Sequence, residues 1–183
     1  MIESIVGNLS LSKNGFLLLL RPRVESATRM LAILIGVAEA QSIALALARK
    51  RMPRPMTHDL MKGLLDTFGA SLDRVEIGRY EGKTFYAQLI LVRDGTPLPP
   101  VDARPSDAIA LALRCGAPIF VSREVYAKGG ADLPVEIEKQ GKQSVRAIDP
   151  RKQLEEEMNK AVQDERYEDA ARIRDQIKEW DSH

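Results

Sequence analysis

Stretches of apolar side chains mark the buried elements of the first 121 residues. Apolar runs that do not alternate with polar residues are typical of strands buried on both faces. Such strands are predicted at residues 16–20, 30–35 and 119–121, after a first strand that contains Ile2, Ile5 and Val6.

Turn signals predict a β-hairpin in the middle of the chain. Residues 75–80 and 84–92 are strand-like, and residues 81–82 provide the tight turn between them. Residues 94–95 predict a second turn. The prolines of residues 97–100 lack N–H donors, which confines that segment to a sheet edge.

Three helices are predicted between these strands. One covers residues 39–49 after a corner at Gly36, and another is capped by Thr57 and ends at Gly69. Its apolar positions recur at helical spacing and are Leu60, Met61, Leu64, Leu65 and Phe68. Residues 43–47 repeat residues 109–113 letter for letter, through an internal repeat or by chance.

The third helix is an Ala- and Leu-rich run, residues 108–113, which predicts burial on most faces. Pro105 suits its first turn, where Ser106 or Asp107 can hold free N–H groups. Gly116 fits its end, and Pro118 prevents its continuation.

The composition changes near residue 150, since 17 of the last 33 residues are charged against 36 of the first 150. Residues 129–134 are predicted to be loop and residues 136–150 a linker. Residues 151–183 predict a two-helix hairpin, with apolar faces that are led by Leu154, Met158, Ala161, Val162, Tyr167, Ala170, Ala171 and Ile177. The sequence thus predicts an α+β body at residues 1–135, with a mixed β-sheet and short buried helices, followed by this hairpin.

Three motifs of the body resemble the bifunctional nuclease domain family. They are Asp-Ala-Arg-Pro-Ser-Asp-Ala-Ile-Ala-Leu-Ala-Leu-Arg at residues 102–114 with Pro-Ile-Phe-Val at 118–121, Ile-Gly-Val-Ala-Glu-Ala at 35–40, and Arg-Pro-Met-Thr-His-Asp-Leu at 54–60. The resemblance implies a nuclease that hydrolyses phosphodiester bonds of RNA and DNA with little sequence preference.

The hairpin resembles the UVR motif of UvrB/UvrC-type proteins, through the spacing of Leu154, Met158 and Ala161 and through residues 167–177. This resemblance implies a protein partner that binds residues 151–180. About 30 residues cannot bury a core alone, so the hairpin must pack on the body, on its copy in another subunit, or on a partner.

The net charge of +1 hides an asymmetry, because residues 151–183 carry −3 and residues 1–150 carry +4. A mildly basic body permits nucleic-acid binding without demanding it. The single cysteine, Cys115, fits a reducing compartment and lies where we expect it to be inert. No signal peptide is recognised, and the longest apolar run has nine residues, so we expect a cytoplasmic protein without a membrane segment.

Phosphodiester hydrolysis commonly uses divalent metals held by carboxylates. Glu39, Asp102 and Asp107 are the candidate catalytic residues and ligands of Mg²⁺ or Mn²⁺. Each of them starts or precedes a helix, so an ordinary role as a cap or dipole partner stays open.

His58 is a candidate general base or metal ligand, with a surface or capping role as the alternative. Arg104 could neutralise a phosphate, or bridge Asp102 and Asp107 as a structural ion pair. The sequence contains no P-loop, dinucleotide fingerprint, HExxH motif or nucleophile elbow.

A basic loop offers the best contacts to a phosphate backbone, unless it is merely solvated. Its candidate residues are Arg49, Lys50, Arg51 and Arg54. The apolar strands at residues 16–20 and 30–35 need extensive cover, which predicts a homo-oligomer, most simply a dimer. The rival to a nuclease is a non-catalytic, oligomeric binding module that recruits partners through the hairpin.

Overall fold

The structure is a computed structural model that describes residues 1–12, 15–24, 29–50, 52–132, 150–164 and 166–181. Its strands are Ile2–Ser12 (β1), Gly15–Pro22 (β2), Arg29–Ile35 (β3), Ala70–Glu81 (β4), Thr84–Arg93 (β5), Thr96–Pro97 (β6), Val101–Ala103 (β7), Ile119–Val121 (β8) and Gly130–Asp132 (β9). Its helices are Val37–Leu47 (α1), Thr57–Thr67 (α2), Pro105–Cys115 (α3), Arg123–Gly129 (α4), Pro150–Gln163 (α5) and Tyr167–Asp181 (α6). No helix of these residues is long and apolar enough to cross a membrane.

The described strands form one mixed sheet in the order β6-β5-β4-β8-β1-β2-β3-β9, and β7 also pairs with β5. Only β4 and β8 among these pairs run parallel. The proline-containing β6 lies at one edge, as predicted. The predicted α+β class with a mixed sheet and a C-terminal hairpin is confirmed.

The apolar strands β2 and β3 are covered within this chain. Phe16, Leu18, Leu20 and Leu31 are fully buried in a core that also contains side chains of the helices. These strands therefore do not need a second subunit for cover, contrary to the prediction, and a homo-oligomer stays a prediction that needs another surface.

Helix α3 is the centre of the body and follows the prediction closely. Pro105 is its first residue, and Gly116 ends it in the left-handed conformation with φ of 69°. The buried run from Ala108 to Ala112 is almost completely shielded, because α3 packs against α1, α2, β4 and β5.

Three local predictions are corrected. Helix α2 has Met56 rather than Thr57 as its N-cap, and the Asp59 carboxylate accepts a hydrogen bond from the Met56 N–H at 2.9 Å. Helix α1 spans Val37–Leu47, two residues earlier than predicted. The segment from Gly129, for which the sequence predicts a loop, contains the end of α4 and all of β9.

Helix α2 turns a buried histidine towards the core and exposes several of its large apolar side chains. His58 points inward and is buried, whereas Leu60, Leu64 and Phe68 are 58%, 47% and 69% exposed. The helical spacing of these residues predicts the helix correctly, but it does not say which face meets the core. Leu60, Leu64 and Phe68 together form the outer face of α2.

The hairpin of α5 and α6 packs on the body, against α1 and β1. Leu154 and Ala161 of α5 are fully buried, and Ala170 and Ile173 of α6 nearly so. The sequence allows the hairpin to pack on the body, on its copy in another subunit, or on a partner. The structure shows it packed on the body. The predicted linker lies outside the described residues except for Pro150.

Candidate active site

Three helices meet at an open cleft of about 660 Å³. Its lining includes Glu39 and Ser42 from α1, His58 from α2, and Arg104 and Asp107 from the start of α3. These side chains are distant in sequence and are brought together only by the packing of α1 and α2 on α3. Four of the five predicted catalytic residues therefore share one cleft.

Arg104 joins the two acidic residues of the cleft. Its Nη2 lies 2.9 Å from Glu39 Oε1, and its Nε lies 2.7 Å from Asp107 Oδ2. The hydrogen bond and the charge of Asp107 raise the pKa of Arg104. The guanidinium is 68% exposed, so it remains accessible to an anion in the cleft. The sequence predicts, as the alternative, that Arg104 bridges Asp102 and Asp107. In the structure Arg104 bridges Glu39 and Asp107 instead.

His58 extends this network into the protein. Its Nε2 lies 3.3 Å from Asp107 Oδ1, and its Nδ1 lies 2.8 Å from Ser42 Oγ. Burial lowers the pKa of His58 and the Arg114 charge lowers it further, while Asp107 and Asp59 oppose the shift. Since the ordinary value is about 6.5, the imidazole is neutral at pH 7.

Arg114 ties the three helices together beneath the cleft. Its guanidinium, on α3, donates to Asp59 Oδ1 of α2 at 2.6 Å and to the Ser42 carbonyl of α1 at 3.2 Å. Burial raises the pKa of Asp59, but hydrogen bonds from Met56 and Arg114 outweigh it, so the pKa is lowered overall. Sequence reasoning missed Ser42, Asp59 and Arg114. The last two stand at the edges of the recognised motifs, which is the one signal that could have found them.

Gly36 makes room for the carboxylate of Glu39. A Cβ at position 36 would come within 2.5 Å of Glu39 Oε2. The backbone at Gly36, with φ of −77° and ψ of 173°, is open to any residue. The glycine therefore leaves space for the Glu39 carboxylate in its present position and is not required by the backbone conformation.

The basic loop contributes one of its four basic residues to the cleft. Arg54 lines it, together with Met52, Pro53 and Pro55 of the same loop. Arg49 and Lys50 are exposed and are not among the lining residues. Arg51 lies outside the described residues.

Asp102 does not line the cleft. It lies on β7 opposite Gln88 of β5 and is exposed. Within the part of the chain that the structure describes, no three His, Cys, Asp or Glu side chains are arranged to hold a metal ion. The predicted metal set of Glu39, Asp102 and Asp107 stays a prediction: Arg104 pairs with both Glu39 and Asp107, whereas Asp102 lies on β7 outside the cleft lining.

The protein is an α+β domain in which charged and titratable side chains of three helices line one cleft. Comparison with known proteins shows the family to which this domain belongs. The bifunctional nuclease domain matches residues 18–134, and the UvrB/uvrC motif matches residues 150–179. The chain belongs to the bifunctional nuclease domain family, which confirms both resemblances seen in the sequence.

Individual relatives agree with this family. An uncharacterised protein of Mycobacterium tuberculosis is 42% identical over 124 residues, covering 68% of this chain and 73% of the relative. Bifunctional nuclease 1 of Oryza sativa subsp. indica is 31% identical over 174 residues, and Bifunctional nuclease 1 of Arabidopsis thaliana is 29% identical over 175. Both matches cover 85% of this chain but only 52% and 54% of the plant proteins, so the chain spans about half their length.

Proposed function

We propose that the protein is a nuclease that hydrolyses phosphodiester bonds of RNA and DNA in the cleft of α1, α2 and α3. The observation that carries the proposal is the meeting of Glu39, His58, Arg104 and Asp107 in one cleft. Membership of the family and the names of the plant relatives support the same activity.

Each of the four side chains suits one requirement of the reaction. A phosphoryl group needs positive charge beside its oxygens, and the exposed guanidinium of Arg104 supplies it. The attacking water needs a proton acceptor, for which Glu39 and Asp107 are the candidates. His58 holds Asp107 at one oxygen while Arg104 holds the other, so that carboxylate has a fixed orientation.

A divalent metal, Mg²⁺ or Mn²⁺, remains a proposal that rests on Glu39 and Asp107. Arg104 pairs with one oxygen of each, so a metal would share these carboxylates with the guanidinium or displace it. The variant Asp102→Asn distinguishes a metal site of Glu39, Asp102 and Asp107 from one of Glu39 and Asp107 alone. Loss of activity in this variant supports the set predicted from the sequence, and retained activity supports the cleft without Asp102.

Recognition of the nucleic acid is proposed to begin at the basic loop. Arg54 lies in the cleft lining, and the exposed Arg49 and Lys50 precede it in the chain, so a phosphate backbone that follows the loop is led to Arg104. Replacement of Arg49, Lys50, Arg51 and Arg54 by Gln should weaken binding to all sequences. The salt slope of binding should fall by about 1 for each phosphate that the loop no longer neutralises.

The test is cleavage of fluorescently labelled single-stranded RNA and DNA by highly purified protein, with and without EDTA. We expect wild type to cleave both and Glu39→Gln and Asp107→Asn to cleave at least about 100-fold more slowly. Glu124→Gln is the matched control, because Glu124 also lies in a first helical turn but pairs with Lys128 on the surface.

A wild-type protein that cleaves neither substrate, with or without added Mg²⁺ or Mn²⁺, would favour the rival function of a non-catalytic binding module. Equal rates for Glu39→Gln, Asp107→Asn and wild type would point to a contaminating nuclease.

We also propose a homo-oligomer, most simply a dimer, formed through the outer face of α2. Leu60, Leu64 and Phe68 are large, exposed apolar side chains, which suits an isologous contact between the same patch of two subunits. Leu64→Asp should shift sedimentation from dimer to monomer. A wild-type monomer of about 20 kDa at micromolar concentration would remove this proposal. Recruitment of a protein partner through residues 151–180 is likewise proposed, on the UvrB/uvrC motif alone.

A further inference from the structure

A buried hydrogen bond lies in the wall of the cleft. Ser42 Oγ is 2.8 Å from His58 Nδ1, and the two residues are 3% and 7% exposed. Ser42 lies in the middle of α1, where serine has no capping role. A polar pair of this depth fixes the side chains that it joins.

The partners of the imidazole determine where its proton lies. Asp107 is a carboxylate and accepts only, so the ring nitrogen that faces it, Nε2, is the donor. A neutral imidazole has one N–H, which leaves Nδ1 as an acceptor for the Ser42 hydroxyl. The other charged groups near the ring are Asp59 of α2 and Arg114 of α3, and those two bind one another.

We propose that Ser42 is a positioning residue that donates to His58 Nδ1 and thereby keeps the imidazole proton on Nε2, directed at Asp107. The catalytic consequence rests on the proposed nuclease function: Nε2 of His58 then faces one oxygen of Asp107 at 3.3 Å while Arg104 donates to the other, and both contacts set the orientation of Asp107 towards the cleft. Ser42 belongs to the cleft lining but is only 3% exposed, so its part in this arrangement is to hold His58 and not to bind substrate.

The test uses nitrogen NMR of the histidine side chains in the full chain. The sequence has two histidines, so the spectrum of His58→Gln assigns the resonances of His58. We expect wild-type His58 at pH 7.5 to carry its proton on Nε2, with Nδ1 in the range of an acceptor. Ser42→Ala should move the Nδ1 resonance away from the wild-type position.

Ser4→Ala is the matched control. Ser4 is also 3% exposed, and its hydroxyl lies 2.9 Å from Tyr126 Oη, away from the cleft. Ser4→Ala and Ser42→Ala thus each remove one buried serine hydroxyl, and they differ in whether that hydroxyl contacts His58. The control should leave both His58 nitrogens unmoved.

Kinetics supply the second measurement. Ser42→Ala should lower kcat by roughly 10- to 100-fold, the usual effect of removing a group that orients a catalytic one, with KM unchanged. Ser42→Thr, which keeps the hydroxyl, should recover most of the activity. An equal fall in kcat for Ser4→Ala would reduce the role of Ser42 to general stability.

The two proposals fail separately. A wild-type proton on Nδ1, or a Nδ1 resonance that does not move in Ser42→Ala, overturns the positioning role whatever the protein cleaves. A wild type that cleaves nothing, together with the expected tautomer and a Nδ1 resonance that moves in Ser42→Ala, supports the role of Ser42 in orienting His58 and removes the proposed nuclease function.

Discussion

The cleft and the C-terminal hairpin both contain arginine–carboxylate ion pairs, but those of the hairpin join residues close together in the chain, whereas those at the cleft also join different helices. In the hairpin, Arg166 and Arg172 pair with Asp169 three residues away, and all three side chains are well exposed. In the cleft, Arg104 has one such local pair, with Asp107, but it also pairs with Glu39 of α1. Beneath the cleft, Arg114 of α3 pairs with Asp59 of α2.

This difference separates helix stabilisation from site construction. Local, exposed pairs add a few tenths of a kcal/mol to a helix and depend little on the rest of the fold. Pairs between elements require the helices to be packed first, and partial burial makes them costly to leave unpaired. Partly buried charges between helices cost desolvation energy, so their presence is more informative about function than the exposed charges of the hairpin.

Gly36→Ala gives the largest expected effect. The new methyl group would displace the Glu39 carboxylate, and a misplacement of about 1 Å can cost on the order of 100-fold in rate. We expect cleavage to fall by about that factor with the melting temperature nearly unchanged. Gly63→Ala on α2 is the control, because a Cβ there meets nothing within 4 Å. Equal activity of the two variants would show that the position of Glu39 is unimportant.

Deletion of the hairpin after Asp149 tests its contribution to the body. Leu154 and Ile173 are buried against the body and each other, and each is worth about 1.5–3 kcal/mol. We expect the truncated protein to fold, with a clearly lower melting temperature and with cleavage per folded molecule retained. Val162→Ala, at an exposed position of α5, is the control. An unchanged melting temperature would mean that the hairpin does not rest on the body in solution.

Two arginine substitutions compare the two regions directly. Arg114→Met removes the donor to Asp59 and to two backbone carbonyls, and should lower the free energy of unfolding by about 1–3 kcal/mol. Arg172→Met in the hairpin should change it by less than about 0.5 kcal/mol. Urea unfolding of both variants measures the contrast. Equal decreases would erase the distinction between the regions.

The smallest effect is a pH dependence from His58. Because burial lowers its pKa in the folded protein, the unfolded chain binds more protons between that lowered pKa and about 6.5. The free energy of unfolding therefore increases with pH across this window and levels off above it. Wild type should show this slope in excess over His58→Gln, whereas His183→Gln should keep it. A slope that survives in His58→Gln would assign it to other groups.

Much of the fold could be predicted because local rules and packing agree. Helix α3 has a proline at its start, a glycine at its end and an apolar run between them, and all three signals point to the same element. The exception is β9, where two consecutive glycines suggest a loop. Gly130 instead pairs with Leu31 of β3, a contact that depends on how the whole sheet is assembled.

The candidate site was predictable only in part. Glu39, His58, Arg104 and Asp107 stand out because they are polar residues beside apolar helices. Ser42 lies between Gln41 and the apolar residues 43–47 and carries no titratable group that would mark it, and its partner is 16 residues away. Asp102 has the same local pattern as Asp107, but it lies on β7, whose pairing with β5 keeps it out of the cleft lining.

The central claim is that nucleic acid binds in the cleft beside His58, and the imidazole itself can report it. The measurement is titration of wild type with a non-cleavable 2′-O-methyl oligonucleotide, followed by the NMR resonances of His58 and, in parallel, by fluorescence anisotropy. We predict that the His58 resonances shift with the same Kd that anisotropy gives, and that Arg104→Gln weakens both. Tight binding by anisotropy with His58 unmoved at saturation would contradict the account.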